Sequence, residues 1–184
     1  MLQDNPTPPT PQEKALKRVL RISRLNGWSV VVVAVLGSLL ALLLGDLVSV
    51  AIGALVAFAG GMEVRGHKQL RRRNPDGMRL LVRSQLFLLS VILVYCAGRL
   101  GSFDAGTVMG NLTPDMEAIL HESGIERADI LPMVRLAFYT LYLTFAAVTL
   151  VYQGGLALFY RGKTRLVTAA LQAPPVVPPN SPLA

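Results

Sequence analysis

The sequence contains a single cysteine and only two histidines. An intrachain disulfide or a zinc site built on cysteines requires at least two of them. Cys96 lies in an apolar run, where it is expected to act as a small buried hydrophobic residue. The sequence also lacks nucleotide-binding loops, nucleophile elbows and dinucleotide fingerprints. It therefore predicts neither an enzyme nor a bound cofactor.

Charged residues are scarce as well. They make up 16% of the 184 residues, and hydrophobic residues make up 52%. Soluble domains carry about 25% charged residues. The mean hydropathy of +0.48 and the long apolar runs place the chain in a lipid bilayer rather than around a soluble core.

The longest apolar run covers residues 30–61 and contains Asp46 as its only formal charge. A bilayer core accommodates about 20 apolar residues as a helix, so this run is too long for one span. The Gly45-Asp46 pair divides it in two. We predict spans over about 28–44, an uncleaved anchor, and 47–62, joined as a tight helical hairpin.

Two further spans are predicted over about 80–98 and 134–159. The predicted fold is therefore an all-α integral membrane protein with four transmembrane helices in two hairpins. An acidic segment, 101–132, connects the third and fourth spans. Within it, Thr113-Pro114-Asp115 has the pattern of a helix start and Gly124 that of a helix stop, which predicts a short helix over about 114–123.

The flanking segments differ from the membrane domain, 27–166, in composition. Residues 1–12 and 167–184 are rich in proline, and we expect both to be disordered tails. Residues 13–26 form a basic helix. This helix either lies on the membrane surface as an amphipathic element or extends the first span as a charged juxtamembrane segment.

The distribution of basic residues predicts the orientation. They concentrate before the first span, between the second and third, and after the fourth, whereas the 101–132 segment is acidic. Short basic loops stay cytoplasmic. Both termini are thus predicted in the cytoplasm, in a membrane that is most simply a bacterial inner membrane. The residues expected to contact lipid headgroups are Lys14, Lys17, Arg18, Arg21, Arg24, Arg71, Arg72 and Arg73. Nucleic acid is not a predicted partner, because the loop that holds Arg71, Arg72 and Arg73 contains no aromatic residue on which bases could stack.

Small residues recur every four positions on the first two spans. Such rows let helix backbones approach closely in lipid. We predict that the first two helices pack through Gly37, Ala41 and Gly45 on one side and Ser49, Gly53, Ala57 and Gly61 on the other.

Polar residues at membrane depth are the natural candidates for a functional site. The candidate polar pocket consists of Glu63, His67, Arg83, Gln85 and Gln153. One hypothesis is that Glu63 pairs with Arg83 in a pocket for a proton or a small anion. The alternative is an interfacial salt bridge with snorkelling side chains. Glu63 and His67 share a helix face, but a metal site needs three or four ligands, and none is predicted.

Two functions remain open from the sequence. The first is a structural or accessory component that packs with a partner membrane protein. The second is a small oligomeric transporter or channel that uses the Glu63, Arg83 and Gln153 cluster. Membrane lipid and either a protein partner or further copies of the chain are the predicted partners.

Overall fold

The computed structural model describes residues 10–110, 113, 115, 119, 122–124 and 127–173, with the backbone alone for 107–109 and 127–129. Within these residues there is no strand, and the all-α class is confirmed. The delimited helices are α1 (Pro11–Leu43), α2 (Leu47–Arg71), α3 (Asp76–Gly101), α4 (Ala105–Gly110) and α5 (Arg127–Gln172). Helices α1, α2, α3 and the Ile130–Gln172 part of α5 are long enough and apolar enough to cross a membrane. The two-hairpin arrangement and the sides of the termini stay predictions.

Helix α1 runs without interruption through the basic segment and the first predicted span. Thr10 caps it: its Oγ1 accepts a hydrogen bond from the Glu13 N–H at 3.3 Å, and the Thr10 N–H donates to the Glu13 carboxylate at 3.1 Å. This reciprocal capping box and Pro11 in the first turn define the helix start. Residues 13–26 thus belong to the same helix as the first span.

Asp46, the only charge in the long apolar run, caps α2. Its Oδ1 accepts a hydrogen bond from the Ser49 N–H at 3.0 Å, and its Oδ2 accepts one from the Ser49 hydroxyl at 2.6 Å. The preceding Gly45 has a φ of +73°, a left-handed conformation that glycine adopts without strain. A capping role therefore explains the position of this carboxylate between two apolar helices.

Replacing Asp46 with alanine is expected to lower the free energy of unfolding by about 1 kcal/mol, because the Ser49 N–H loses its acceptor. Thermal unfolding of the purified chain in lipid nanodiscs measures the change. Asp46→Asn is the control, since asparagine keeps an acceptor at the cap and should retain most of the stability. An equal loss in both variants would show that the charge, not the cap, matters here.

The turn between α2 and α3 brings these helices into close contact. The Asn74 Oδ1 accepts a hydrogen bond from the Asp76 N–H at 2.9 Å. A Cβ atom placed on Gly77 would lie 2.6 Å from the Gly66 carbonyl oxygen and 2.8 Å from Leu70 Cγ. Glycine at position 77 is therefore required by the space between the start of α3 and the end of α2.

Helix α5 is longer than the predicted fourth span. It continues through residues 160–172, and Val167 and Leu171 are buried. The prediction of a disordered tail from residue 167 is thus wrong for residues 167–172, because apolar side chains at helical spacing bury there. Residues 11–12 are likewise helical rather than part of a tail. Residues 1–9 and 174–184 lie outside the described residues.

The chain divides into two compact units. The first comprises Met1–Leu88 and Gln153–Ala184, of which residues 10–88 and 153–173 are described. Its buried core consists of Ala15, Val19, Leu70, Met78, Leu81, Tyr160, Val167 and Leu171. Most of these residues lie beyond the predicted spans, at the helix ends, where water can drive the burial of apolar surface.

The second unit, Leu89–Tyr152, contains the short helix α4. The sequence did not predict α4. The Asp104 Oδ1 accepts a hydrogen bond from the Gly106 N–H at 2.9 Å near the start of this helix. The helix predicted over 114–123 falls mostly on residues that the structure does not describe. Cys96 of α3 is buried, as predicted.

Candidate functional site

Glu63 of α2 is the centre of a buried polar network in the first unit. Only 1% of its surface is exposed. Its Oε2 accepts a hydrogen bond from the Asn26 Nδ2 of α1 at 2.6 Å, and its Oε1 accepts one from the Tyr160 hydroxyl of α5 at 2.8 Å. Because both carboxylate oxygens have partners, this side chain connects three helices.

Gln85 of α3 completes what we call the Glu63 network, the set Asn26, Glu63, Gln85 and Tyr160. It is 1% exposed and lies beside the Glu63 carboxylate. Within the described residues, however, neither its Nε2 nor its Oε1 makes a hydrogen bond of ordinary geometry. Each long helix thus contributes one polar side chain, and one of the four retains unused hydrogen-bonding capacity.

A second polar link joins α1 and α2 one helical turn away. The Ser23 hydroxyl and the His67 Nδ1 are 3.1 Å apart. Ser23 is three residues before Asn26, and His67 is four residues after Glu63, so both links lie on the same faces of the two helices. They hold the basic ends of α1 and α2 at a fixed separation.

The predicted pair of Glu63 and Arg83 does not form, so that hypothesis is wrong. Arg83 is exposed whereas Glu63 is buried, and the Glu63 oxygens bind Asn26 and Tyr160 instead. Gln153 is 7% exposed, and its Oε1 has no hydrogen-bond partner in the part of the chain that the structure describes. The structure therefore brings Glu63 and Gln85 together, with His67 one turn along α2, and leaves Arg83 at the surface.

Asn26 and Tyr160 were not among the residues predicted from the sequence. Asn26 was assigned to the end of the basic helix, and Tyr160 follows the predicted end of the fourth span. One pattern could have revealed Asn26: Val19, Ser23 and Asn26 recur at helical spacing on one face of α1. Polar residues that continue a buried face need polar partners on another helix.

The contact between α1 and α2 passes through small residues at seven-residue spacing rather than at the predicted four-residue spacing. On α1 the small residues Gly27, Ala34 and Ala41 are buried, and Gly27 and Ala34 lie against residues of α2. On α2, a Cβ on Gly60 would lie 2.8 Å from Val31, and one on Gly53 would collide with the Ser38 hydroxyl. A seven-residue repeat is typical of helices that pack as in coiled coils.

The predicted packing residues are thus divided between contact and open positions. Gly53 lies in the contact, Ala41 is buried, Ser49 donates a hydrogen bond to Asp46, and Ala57 is half-buried. Gly45 forms the turn. A Cβ on Gly37 or Gly61 would meet no described atom within 4 Å.

The eight basic residues predicted to contact lipid headgroups are all exposed. Two of them already have intramolecular contacts. The Arg18 guanidinium lies 5.6 Å from the centroid of the Phe159 ring, and the Arg73 Nη1 donates a hydrogen bond to the Ala173 carbonyl at 3.2 Å. Three of the remaining cations, Arg21, Arg24 and Arg71, line one groove between α1 and α2.

The second unit contains a cluster of aromatic and arginine side chains. The rings of Phe103 and Phe138 have centroids 5.1 Å apart, and Arg135 lies over Phe103 at 5.4 Å. The Arg99 Nε donates a hydrogen bond to the Tyr142 hydroxyl at 3.1 Å. Aromatic and arginine residues of this kind are common where membrane helices meet the headgroup region.

Among the described residues, no three histidine, cysteine or acidic side chains are grouped so that they could hold a metal ion. Comparisons of the chain with protein-family models, with curated proteins and with solved structures found no match. The length and hydropathy of the helices therefore define the class of the protein. Four long apolar helices indicate an integral membrane protein with a helical bundle.

Proposed function

We propose that this chain is an accessory component of a membrane assembly, without a catalytic centre, that packs against a partner membrane protein. In this proposal, both termini lie in the cytoplasm, as the distribution of basic residues predicts, and the four spans form two hairpins in a bacterial inner membrane. The observation that carries the proposal is an exposed stripe on α5, described next.

Helix α5 is the least covered of the four long helices. Only 6% of its most apolar window is buried, compared with 28% for α3. Its exposed stripe, which we call the α5 stripe, consists of Met133, Ala137, Thr140 and Thr144. The four stripe residues follow one another at spacings of four and three. With the exposed Leu136 and Leu141 beside them, they line a shallow groove of about 590 Å³.

The threonines and Ala137 of the α5 stripe favour a protein neighbour over lipid. Small residues and threonines are enriched where membrane helices touch, because they allow close approach and interhelical hydrogen bonds. A lipid-facing surface gains nothing from threonine hydroxyls. The Glu63 network supports the same view, since a carboxylate whose two oxygens bind the chain's own side chains acts as a structural link.

The test is extraction of the native membrane into nanodiscs, followed by identification of stoichiometric partners by mass spectrometry. The variant T140L/T144L removes both hydroxyls and adds volume to the α5 stripe. Its matched control, L143F/L150F, adds volume at two positions of the same helix that are 56% and 53% exposed. We expect a stoichiometric second protein in the wild type and the control, and at least a tenfold loss of it in T140L/T144L.

Retention of the partner in T140L/T144L would overturn the assignment of the α5 stripe. A homo-oligomer without a second protein would instead favour the alternative, a small oligomeric transporter or channel. One observation supports that alternative: Gln85 and Gln153 carry buried amide atoms that make no hydrogen bonds within the described residues. Such atoms could bind water or a small polar solute. Flux measurements on Glu63→Gln and Gln153→Leu variants would then be the deciding experiment.

A further inference from the structure

A groove between α1 and α2 gathers positive charge. Its volume is about 570 Å³. The residues that line it are Leu20, Arg21, Arg24 and Leu25 of α1 and His67 and Arg71 of α2. Every ionisable side chain in this lining is basic, so the groove is suited to an anion.

The groove is held in shape by contacts beneath it. Arg21 and Arg24 are three residues apart on α1, and His67 and Arg71 are four apart on α2, so each pair lies on one helix face. The Ser23 to His67 contact joins the two helices at this level. The fold therefore fixes the backbone positions from which the three arginines extend before any ligand binds, which lowers the entropic cost of binding.

Within the part of the chain that the structure describes, no carboxylate pairs with the charges of the groove. The ion pair that the described residues form is Arg79 with Asp76, and none of Arg21, Arg24 and Arg71 has a carboxylate within ion-pair distance there. Three guanidinium groups around one groove repel one another. A bound anion would remove this repulsion, and guanidinium groups bind phosphate oxygens in a bidentate manner.

The apolar part of the lining identifies the source of the phosphate. Leu20 and Leu25 border the arginines, and Leu25 is 66% exposed. Trp28, 56% exposed, follows one turn further towards the apolar part of α1. Tryptophan marks the level of the headgroups in membrane proteins. A ligand with a phosphate and adjoining acyl chains matches this sequence of cationic, apolar and interfacial aromatic residues.

From this arrangement, we infer that the groove binds the phosphate of an anionic phospholipid. Arg24 and Arg71, from opposite sides, hold the phosphate oxygens, Arg21 contributes a third cation, and the acyl chains lie along Leu25 towards the span. Basic pockets between membrane helices bind anionic headgroups in this manner. This site assigns one phosphate to three particular arginines, whereas a general attraction to the membrane surface would involve all eight basic residues. The site does not depend on the proposed partner of α5.

The test uses the full-length chain in a neutral detergent, titrated with phosphatidylglycerol or phosphatidylcholine and followed by native mass spectrometry. We expect one phosphatidylglycerol to bind more tightly than the rest and more tightly than phosphatidylcholine. The variant R24Q/R71Q should weaken its apparent Kd by about tenfold to thirtyfold. The control R65Q/R72Q removes two exposed charges from α2 and its C-cap, outside the groove, and should change the Kd less than about twofold.

Equal weakening of the Kd in both double variants would overturn the site, because it would show that the total charge of the protein, and not this groove, determines the affinity. If R24Q/R71Q does not insert, the conservative R24K/R71K variant decides. It keeps both charges but loses bidentate bonding, and we expect a measurable weakening of the Kd. An R24K/R71K affinity equal to that of the wild type would also overturn the site.

A soluble probe distinguishes the source of the phosphate. Glycerol 1-phosphate shares the phosphate of the lipid but has no acyl chains. We expect it to displace phosphatidylglycerol only at concentrations at least a hundredfold higher than the lipid Kd. Displacement at equal concentrations would show that the groove binds a soluble phosphate ester, and the assignment to a phospholipid would be wrong.

Discussion

Glu63→Leu is expected to lower the free energy of unfolding by about 2 to 5 kcal/mol. The substitution leaves the Asn26 amide and the Tyr160 hydroxyl without their common acceptor in a buried site. A buried donor without a partner costs the desolvation energy that the hydrogen bond had offset. Thermal or denaturant unfolding in nanodiscs measures the loss, and a decrease in the unfolding midpoint should accompany retained membrane insertion.

Two companion variants identify the source of that loss. Glu63→Gln keeps the shape and one acceptor oxygen, and should cost roughly half as much as Glu63→Leu, because one donor keeps its partner. Arg83→Gln should change stability by less than about 0.5 kcal/mol, since Arg83 is exposed and does not contact Glu63. A large effect of Arg83→Gln would restore the ion pair that the sequence suggested and contradict the network described above.

Gly77→Ala is expected to destabilise the chain by about 3 kcal/mol. The added methyl group would lie 2.6 Å from the Gly66 carbonyl oxygen and 3.0 Å from the Leu70 N. These are backbone atoms, so no side-chain rotation can make room, and α2 and α3 must move apart. The displacement also disturbs the core beside it, where Met78 and Leu81 are completely buried.

Gly98→Ala is the control for that prediction. Gly98 belongs to the same helix, but a Cβ atom there would meet no described atom within 4 Å. Alanine should therefore be neutral or stabilising by up to about 1 kcal/mol, because it reduces the backbone entropy of the unfolded chain. If both variants lose the same stability, glycine matters in α3 for its flexibility and not for the close approach at Gly77.

The predicted spans agree with the described helices because span prediction depends on composition and length alone. Residues 28–44, 47–62 and 80–98 lie almost wholly within α1, α2 and α3, and 134–159 lies within α5. The helix ends were predicted less well. For residues 13–26, the sequence leaves a separate surface helix and an extension of the first span open, and the structure shows the continuous helix α1. Long basic side chains are compatible with a helix that leaves the membrane in this way.

The candidate site was predicted in part. Glu63, His67 and Gln85 were selected because polar residues near the ends of apolar helices are costly to bury. The prediction of Arg83 as the partner of Glu63 was wrong, because it depended on opposite charge alone. Asn26 and Tyr160 are neutral and distant in sequence from Glu63, so no charge or spacing marks them as its partners. Only the rotation of α1 and α5 about their own axes places them against the carboxylate.

The sequence likewise does not define which faces of α1 and α2 pack together. Small residues are frequent throughout both helices, so several rows can be drawn, including Gly37, Ala41 and Gly45. The structure selects Gly27, Ala34 and Ala41, because the polar links of Ser23 and Asn26 fix which face of α1 meets α2. A periodic pattern identifies possible faces, whereas contacts elsewhere on the helix decide among them.

By itself, the sequence determined the helical class and the four apolar segments, since each follows from local hydropathy and length. It also determined that Glu63 needs a partner. The tertiary structure decided which side chains satisfy Glu63, which arginines converge on one groove, and that the basic helix ends enclose an apolar core including Val19, Leu70 and Val167. These features join residues far apart in the chain, and their geometry depends on the rotation and depth of each helix, which no local pattern records.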